Sequence, residues 1–326
     1  MKTLENVKVG VIGVGHLGMH HARVYTEILG ARLVGVVDTD EERAQVIAEP
    51  LGVPSFTCLE RFLDQKRPDA VSIVVPTNAH FEVAKTAMEM GVNVLIEKPV
   101  TQSVDEAEQL LAIAMSKDII LQVGHIERFN SAVQHVRESI RDPYFIQTRR
   151  MGPFSPRISD VGVVLDLMIH DVDIILSLIN SELVSISAVG RCLRTDHEDI
   201  ASAQLEFVNG TIAQILVSRV SERRERKMEI TERERYVTVD FGAQEISVRR
   251  SVRQSNGDLV EVIEHPVFPK TEPLKLELQH FVSCVRDGRQ PIVGIKDGKR
   301  ALEVCVAALR QIHECRKDTD CLFSAV

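Results

Sequence analysis

Tryptophan is absent from the 326 residues, and all aromatics together make up 4%. A sugar cleft or base-stacking platform built on aromatic rings is therefore not expected. Six cysteines (Cys58, Cys192, Cys284, Cys305, Cys315, Cys321) are scattered without a CxxC. Neither a disulfide framework nor a metal centre is expected from them, and isolated reduced thiols suit a cytoplasmic setting. A basic surplus is also missing: 39 Lys and Arg face 47 Asp and Glu, a net charge of -8. That balance argues against a nucleic-acid partner. It leaves room for an anionic small molecule held by local positive charge. The opening MKTLENVKVGVIG lacks the basic and apolar regions of a signal peptide. The longest apolar run carries three acids and a histidine, which excludes a membrane span. No repeat of 20–50 residues and no low-complexity linker is present. What remains is an ordinary globular composition, 44% hydrophobic and 26% charged, at a length that suggests two domains.

That apolar run, VVLDLMIHDVDIILSLI from Val163 to Ile179, is interrupted by Asp166, His170, Asp173 and Ser177. Their spacings of four, three and four place them in one stripe of a helix. A helix apolar on its other sides is expected to be buried. Buried polar groups need partners, so the stripe must face either other side chains or a ligand.

The first 123 residues read as alternating strands and helices, which implies a doubly wound, mostly parallel sheet. The strand Val7 to Ile12 runs into Gly13-Val-Gly15-His16-Leu17-Gly18, then a helix, then a second strand ending in Asp38. Each position suits a dinucleotide. Gly13 permits the tight turn, Gly15 admits a pyrophosphate to the backbone, and Gly18 allows close packing of helix on strand. The helix N-terminus offers free N–H groups to phosphates. Asp38 can accept the adenosine ribose hydroxyls, which favours NAD over NADP. The plainer alternative is a glycine-rich turn beside an acid that merely ends a strand.

In such sheets ligands bind beyond the carboxyl ends of the strands. Two of those ends carry polar groups: Thr77, Asn78 and His80 after one strand, Glu97 and Lys98 before Pro99 after another. Lys98 is either a fixed cation that polarises a substrate oxygen or half of an exposed pair with Glu97. Asn78 reads as the N-cap of the next helix, and His80 as a surface or capping histidine. After Val123 the pattern changes to consecutive strands, the mark of an antiparallel sheet with one covered face. The expected domains are thus 1–123, a Rossmann domain, and 124–326, an α+β domain with a large open sheet, whose last helices can pack back on the first. The run Ser221 to Tyr236 mixes both charge signs and reads as a solvated face.

With GVGHLG, PTNAH, EKP and a helical D-x-x-x-H in place, the chain resembles the Gfo/Idh/MocA family of nicotinamide-dependent sugar oxidoreductases over essentially its whole length. The resemblance implies catalytic roles for Lys98, Asp166 and His170. It implies nicotinamide-side contacts from Thr77, Asn78, His80 and Glu97, and subunit contacts through the open sheet in a homodimer or homotetramer. GHIERFN, GPFSPRISDVG and DLMIHDVD are most similar to the branch acting on the 3-hydroxyl of UDP-N-acetylglucosamine or its uronic acid. That branch also implies a substrate contact from Asn130, although the proline expected after it is here Ser131.

On this reading His170 removes the hydroxyl proton, Asp166 orients it, and Lys98 stabilises charge on the same oxygen. Arg128 and Arg157 are candidates for the nucleotide diphosphate through forked hydrogen bonds, with surface ion pairs as the alternative. Asp173 and Ser177 are expected to bond to protein. Two other functions stay open: a dehydrogenase of free sugars or inositols, and a non-catalytic NAD-binding sensor.

Overall fold

The structure, a computed structural model, describes residues 6–155, 161–255 and 258–323, with backbone alone for 315–323. The chain divides into two units. One runs to Phe129 and takes in Glu272–Arg300; the other comprises Asn130–Thr271 and the described residues from Ala301 onward.

In the first unit, strands and helices alternate: β1 (Val7–Ile12), α1 (Gly18–Glu27), β2 (Ala31–Val37), α2 (Glu41–Leu51), β3 (Ser55–Phe56), α3 (Leu59–Lys66), β4 (Ala70–Ile73), α4 (Thr77–Glu89), β5 (Asn93–Glu97), α5 (Val104–Lys117) and β6 (Leu121–Gly124). The strands form one sheet in the order β3-β2-β1-β4-β5-β6, parallel throughout. Val9, Val11, Ile73, Val94 and Leu95 are fully buried, as expected where helices cover both faces of a parallel sheet. Local signals fix several ends. Asp40 caps α2 by accepting from the Arg43 N–H, and a capping box of Ser103 and Glu106 starts α5. β3 and α3 fall in a stretch without an expected element. A two-residue strand is too short to alternate, and α3 buries only Phe62 and Leu63.

The second unit begins with α6 (Ser131–Ser139) and β7 (Phe145–Met151). A π-turn (Val164–Met168) then leads directly into α7 (Ile169–Leu178). Seven strands follow: β8 (Leu183–Arg191), β9 (Ile200–Phe207), β10 (Ile212–Ser218), β11 (Glu225–Thr231), β12 (Arg235–Asp240), β13 (Glu245–Arg253) and β14 (Leu259–Glu264). The sheet order is β14-β13-β12-β11-β7-β10-β9-β8, antiparallel except between β7 and β10. Alternate residues (Ala201, Ala203 and Leu205; Ala213, Ile215 and Val217) point into a core shared with Val164, Met168 and Val172. The edge strand β14 was not expected; nearly all of it is exposed, so no buried face patterns its sequence.

Two last helices close the chain, α8 (Pro273–Asp287) and α9 (Ile295–Phe323). Leu274, Leu278 and Phe281 of α8 share a buried cluster with Ala22 and Tyr25 of α1 in the first unit. From Ala301 on, α9 belongs to the core of the second unit, where Gln311 bonds to the backbone of Ala188 and Ile186 in β8.

A charge escaped the reading of the polar stripe. Asp171 is fully buried on the face of α7 turned to the sheet, and Arg150 of β7 meets it. The guanidinium donates to both carboxylate oxygens at 3.0–3.3 Å and lies 5.2 Å from the Phe241 ring centre. Removing one partner strands the other charge without water. Asp171→Ala should cost about 3–5 kcal/mol in denaturant unfolding, while the pair Arg150→Met with Asp171→Leu should recover most of that loss.

Candidate functional site

The first turn of the chain is built around absent side chains. Gly13 has φ +82°, and a Cβ there would lie 2.5 Å from the Val74 carbonyl. A Cβ on Gly18 would fall 1.8 Å from the Gly13 carbonyl. Gly15 differs: a Cβ there meets nothing within 4 Å. The two outer glycines are thus required by the protein's own packing. The middle one faces open space at the N-terminus of α1, with exposed His16 and Leu17 beside it. Backbone N–H groups, the positive helix end and room for a ligand make this a fitting cradle for a dinucleotide pyrophosphate.

Asp38, 7% exposed, follows the end of β2. Its carboxylate accepts from the N–H groups of Val14 (2.9 Å) and Asp40 (3.0 Å). Arg43, in the first turn of α2, reaches it at 3.2 Å and also pairs with Asp40 at 3.0 Å. The sequence reading missed Arg43, five residues past the acid, although a base that close was a visible signal. The acid that the sequence marks for a ribose therefore has a cation beside it.

On the other side of β1, helix α4 begins at Thr77, one residue earlier than expected. Asn78 lies inside the first turn and Pro76 holds the cap position, which corrects the N-cap reading of Asn78. His80 is neither a surface nor a capping residue; it is 1% exposed. Its ring nitrogens lie 2.8 Å from the Pro99 carbonyl and 3.0 Å from the Val75 carbonyl, tying the ends of β4 and β5 together. Burial pushes its pKa below the usual histidine value, outweighing those carbonyls and the nearby Glu97. Glu97 is 8% exposed at the last position of β5. Lys98 follows it, half-buried, through a cis peptide bond to Pro99.

In the second unit Asp166 sits in the π-turn and His170 in the first turn of α7, both half-buried. A continuous α-helix was expected from Val163. The π-turn inserts an i→i+5 turn between α-helical neighbours, a feature common at functional sites. Its entry is pinned by two acids. The Glu198 side chain accepts from the Val164 N–H at 3.0 Å, placing negative charge at a helix start. Asp199 is fully buried and pairs with Arg219 at 2.6 Å; Arg219 also donates to the Val161 carbonyl at 2.7 Å. Burial works to raise the Asp199 carboxyl. The N–H groups of Arg194 and Leu193, the Arg219 guanidinium and the Thr195 N–H outweigh it and hold the group well below the usual carboxylate range.

The remaining candidates divide. Ser177 donates to the Ile174 carbonyl, and Asp173 is 2% exposed. Asn130 is 2% exposed, caps α6 through its Oδ1 and donates its Nδ2 to the Phe241 carbonyl. Arg128 is buried, 3.6 Å from Asp297. Arg157 lies outside the described residues. Among the described residues no helix is long and apolar enough to cross a membrane, and no group of three or more His, Cys, Asp or Glu could hold a metal ion.

A parallel sheet carrying this glycine cradle has the form of a dinucleotide-binding Rossmann domain, and a second domain follows it with a half-buried Asp and His one turn apart. Residues 7–125 match the NAD-binding Rossmann domain of the Gfo/Idh/MocA oxidoreductases, and residues 123–236 match a C-terminal domain of the same group. The chain is 37% identical over 307 residues to UDP-N-acetylglucosamine 3-dehydrogenase of Acidithiobacillus ferrooxidans, covering 94% of this chain and 96% of that one. A solved structure of that enzyme superposes with a TM-score of 0.87 at 36% identity, covering 94% of this chain and 97% of that one. Scyllo-inositol 2-dehydrogenase (NAD(+)) of Bacillus subtilis is 31% identical over 93% of both chains. The protein belongs to the Gfo/Idh/MocA family of oxidoreductases.

The cradle makes opposite demands on two glycines. Gly15→Ala should fold with an unchanged melting temperature yet bind NAD at least about tenfold more weakly, a loss of ~1.4 kcal/mol. Gly18→Ala should lower the melting temperature itself, because its Cβ has no space. Thermal unfolding and NAD titration of both variants check this.

Proposed function

We propose that the protein oxidises the 3-hydroxyl of UDP-N-acetylglucosamine, or of the corresponding uronic acid, to the 3-keto sugar with NAD. The observation that carries the reading is a nucleotide cradle on one unit and an Asp166/His170 pair, raised by a pinned π-turn, on the other. The 37% identity to a UDP-N-acetylglucosamine 3-dehydrogenase supports the choice of substrate. NAD is preferred to NADP in this reading because the Asp38 carboxylate offers acceptors to ribose hydroxyls, although Arg43 stands beside it.

Bound NAD supplies the acceptor for the hydride that leaves the sugar carbon. The chain's own residues do the rest. His170 accepts the hydroxyl proton, since an imidazole titrates near neutrality. Asp166, one turn earlier, holds the ring and stabilises the imidazolium that forms. Lys98 donates to the same oxygen and stabilises its developing negative charge. Thr77, Asn78 and Glu97 bind on the nicotinamide side, and His80 serves them from beneath by joining the ends of β4 and β5. Arg157 remains a proposed contact for the diphosphate. Arg128 and Asn130 remain proposed substrate contacts; Arg128 lies 3.6 Å from Asp297, and the Asn130 side chain also bonds to the Ala132 N–H and the Phe241 carbonyl. We place self-association as a dimer or tetramer on the open face of the eight-stranded sheet, and the protein in the cytoplasm.

The likeness to an inositol dehydrogenase supports a second reading, in which a cyclitol or free sugar is the substrate. Purified protein incubated with NAD or NADP and a panel of UDP-sugars, free sugars and inositols, with the ketone trapped, separates the two. Reduced cofactor is expected with UDP-N-acetylglucosamine or its uronic acid; turnover confined to inositols or free sugars would discard the nucleotide sugar. His170→Asn should lower turnover by about 100-fold or more while leaving NAD affinity nearly unchanged.

A further inference from the structure

Between α1, β5 and β6, beneath the nicotinamide side of the proposed cofactor site, Glu97 belongs to a buried polar cluster whose other member, His21, has no part in the proposed reaction. His21, on the helix that follows the glycine cradle, is 0% exposed, and neither ring nitrogen has a hydrogen-bond partner among the described residues. Its Nε2 lies 3.2 Å from Glu97 Oε1, a close polar contact without the alignment of a hydrogen bond. The other oxygen of Glu97 accepts from the Lys98 N–H at 3.3 Å. The carboxylate rests over Gly124, where a Cβ would come within 2.8 Å of Glu97 Cδ and 2.9 Å of both oxygens. A residue with no side chain at the end of β6 is therefore what admits this anion. A carboxylate has about four acceptor sites, and two contacts leave capacity for a ligand.

The strand order says which ligand part that is. Asp38 follows β2, the cradle follows β1, and Glu97 ends β5, with β4 between β1 and β5. From β2 to β5 is three strand spacings, about 14 Å. A dinucleotide with its ribose at Asp38 and its pyrophosphate at the cradle therefore extends its nicotinamide half toward β4 and β5. The oxidised nicotinamide ring carries a positive charge that the reduced ring lacks. A mostly buried anion on that side attracts the oxidised form, and low local dielectric strengthens the effect.

We propose that the Glu97 carboxylate biases the site toward the oxidised cofactor, and that His21 is its positioning residue. The inference rests on the cofactor reading given above. It extends that reading by assigning to Glu97 a charge effect and to His21, until now without a role, the task of holding it. His80 on α4 feels the Glu97 charge, and Lys98 and His125 are the chain neighbours of Glu97 and Gly124.

The test is calorimetric titration of the wild type, Glu97→Gln, His21→Asn and the double variant with NAD+, NADH and ADP-ribose. ADP-ribose lacks the nicotinamide ring and reports on the rest of the site. Glu97→Gln should weaken NAD+ about tenfold and leave NADH and ADP-ribose within about twofold, which raises the potential of the bound couple by about 30 mV. His21→Asn should move the same ratio by about threefold, and the double variant no further than Glu97→Gln alone, because His21 acts through Glu97. Equal losses for all three ligands, or an unchanged ratio in Glu97→Gln, would overturn the proposal. Wild-type protein that binds none of them would overturn the cofactor reading as well. A ratio that moves as expected while the sugar panel gives no turnover would overturn only the dehydrogenase reading.

Discussion

The carbonyl of Gly13 and the backbone of Gly18 are so close that a single added carbon would lie 1.8 Å from the carbonyl oxygen, far inside van der Waals contact. That contact seats the start of α1 on the end of β1, and much of the first unit depends on it. It turns the helix N-terminus toward the open space at Gly15, where phosphate is favoured. It brings the Val14 N–H to Asp38, fixing the carboxylate proposed to read the ribose. It also carries His21, one turn further along, to Glu97. A steric constraint at one turn thus sets two polar contacts and the open helix N-terminus between them in the proposed cofactor site.

The second unit reaches the same end by electrostatics. Its helix could rotate or slide against an apolar sheet, since hydrophobic contact has little directional preference. Glu198 and Asp199, adjacent in the chain, prevent this. One receives the N–H of Val164, and the other, through Arg219, holds Val161 just before the π-turn. Asp171 meets Arg150 from the opposite face of α7. Buried pairs of this kind add little net stability and specify geometry well when every hydrogen bond is met. Here they hold Asp166 and His170, the pair to which the proposed chemistry is assigned, in one orientation within their own unit.

How much of this was legible depends on whether the signal is local. The alternation of elements, the three glycines, Asp38 and the D-x-x-x-H spacing each lie within a few residues, and periodicity or turn chemistry exposes them. The family follows from four such motifs. The short β3 and α3 lay below the reach of periodicity. Asp171 was hidden because its partner Arg150 is 21 residues away, on a strand whose alternation could not reveal a buried arginine. His21 looked like any helical histidine; its burial depends on Glu97, 76 positions later in the chain. Asn78 and His80 were misread for a smaller reason, a helix that starts one residue early and turns His80 inward. Contacts between distant elements leave no mark in a local pattern.

The central claim is that hydride moves from a sugar carbon to nicotinamide. It is tested most directly with UDP-N-acetylglucosamine carrying deuterium at C3 of the sugar, incubated with NAD and the protein under ketone trapping. Mass spectrometry should find one deuterium on the reduced nicotinamide and none in the trapped sugar. Reduced cofactor without the label, or labelled sugar recovered intact after prolonged incubation with NAD-bound protein, would contradict it.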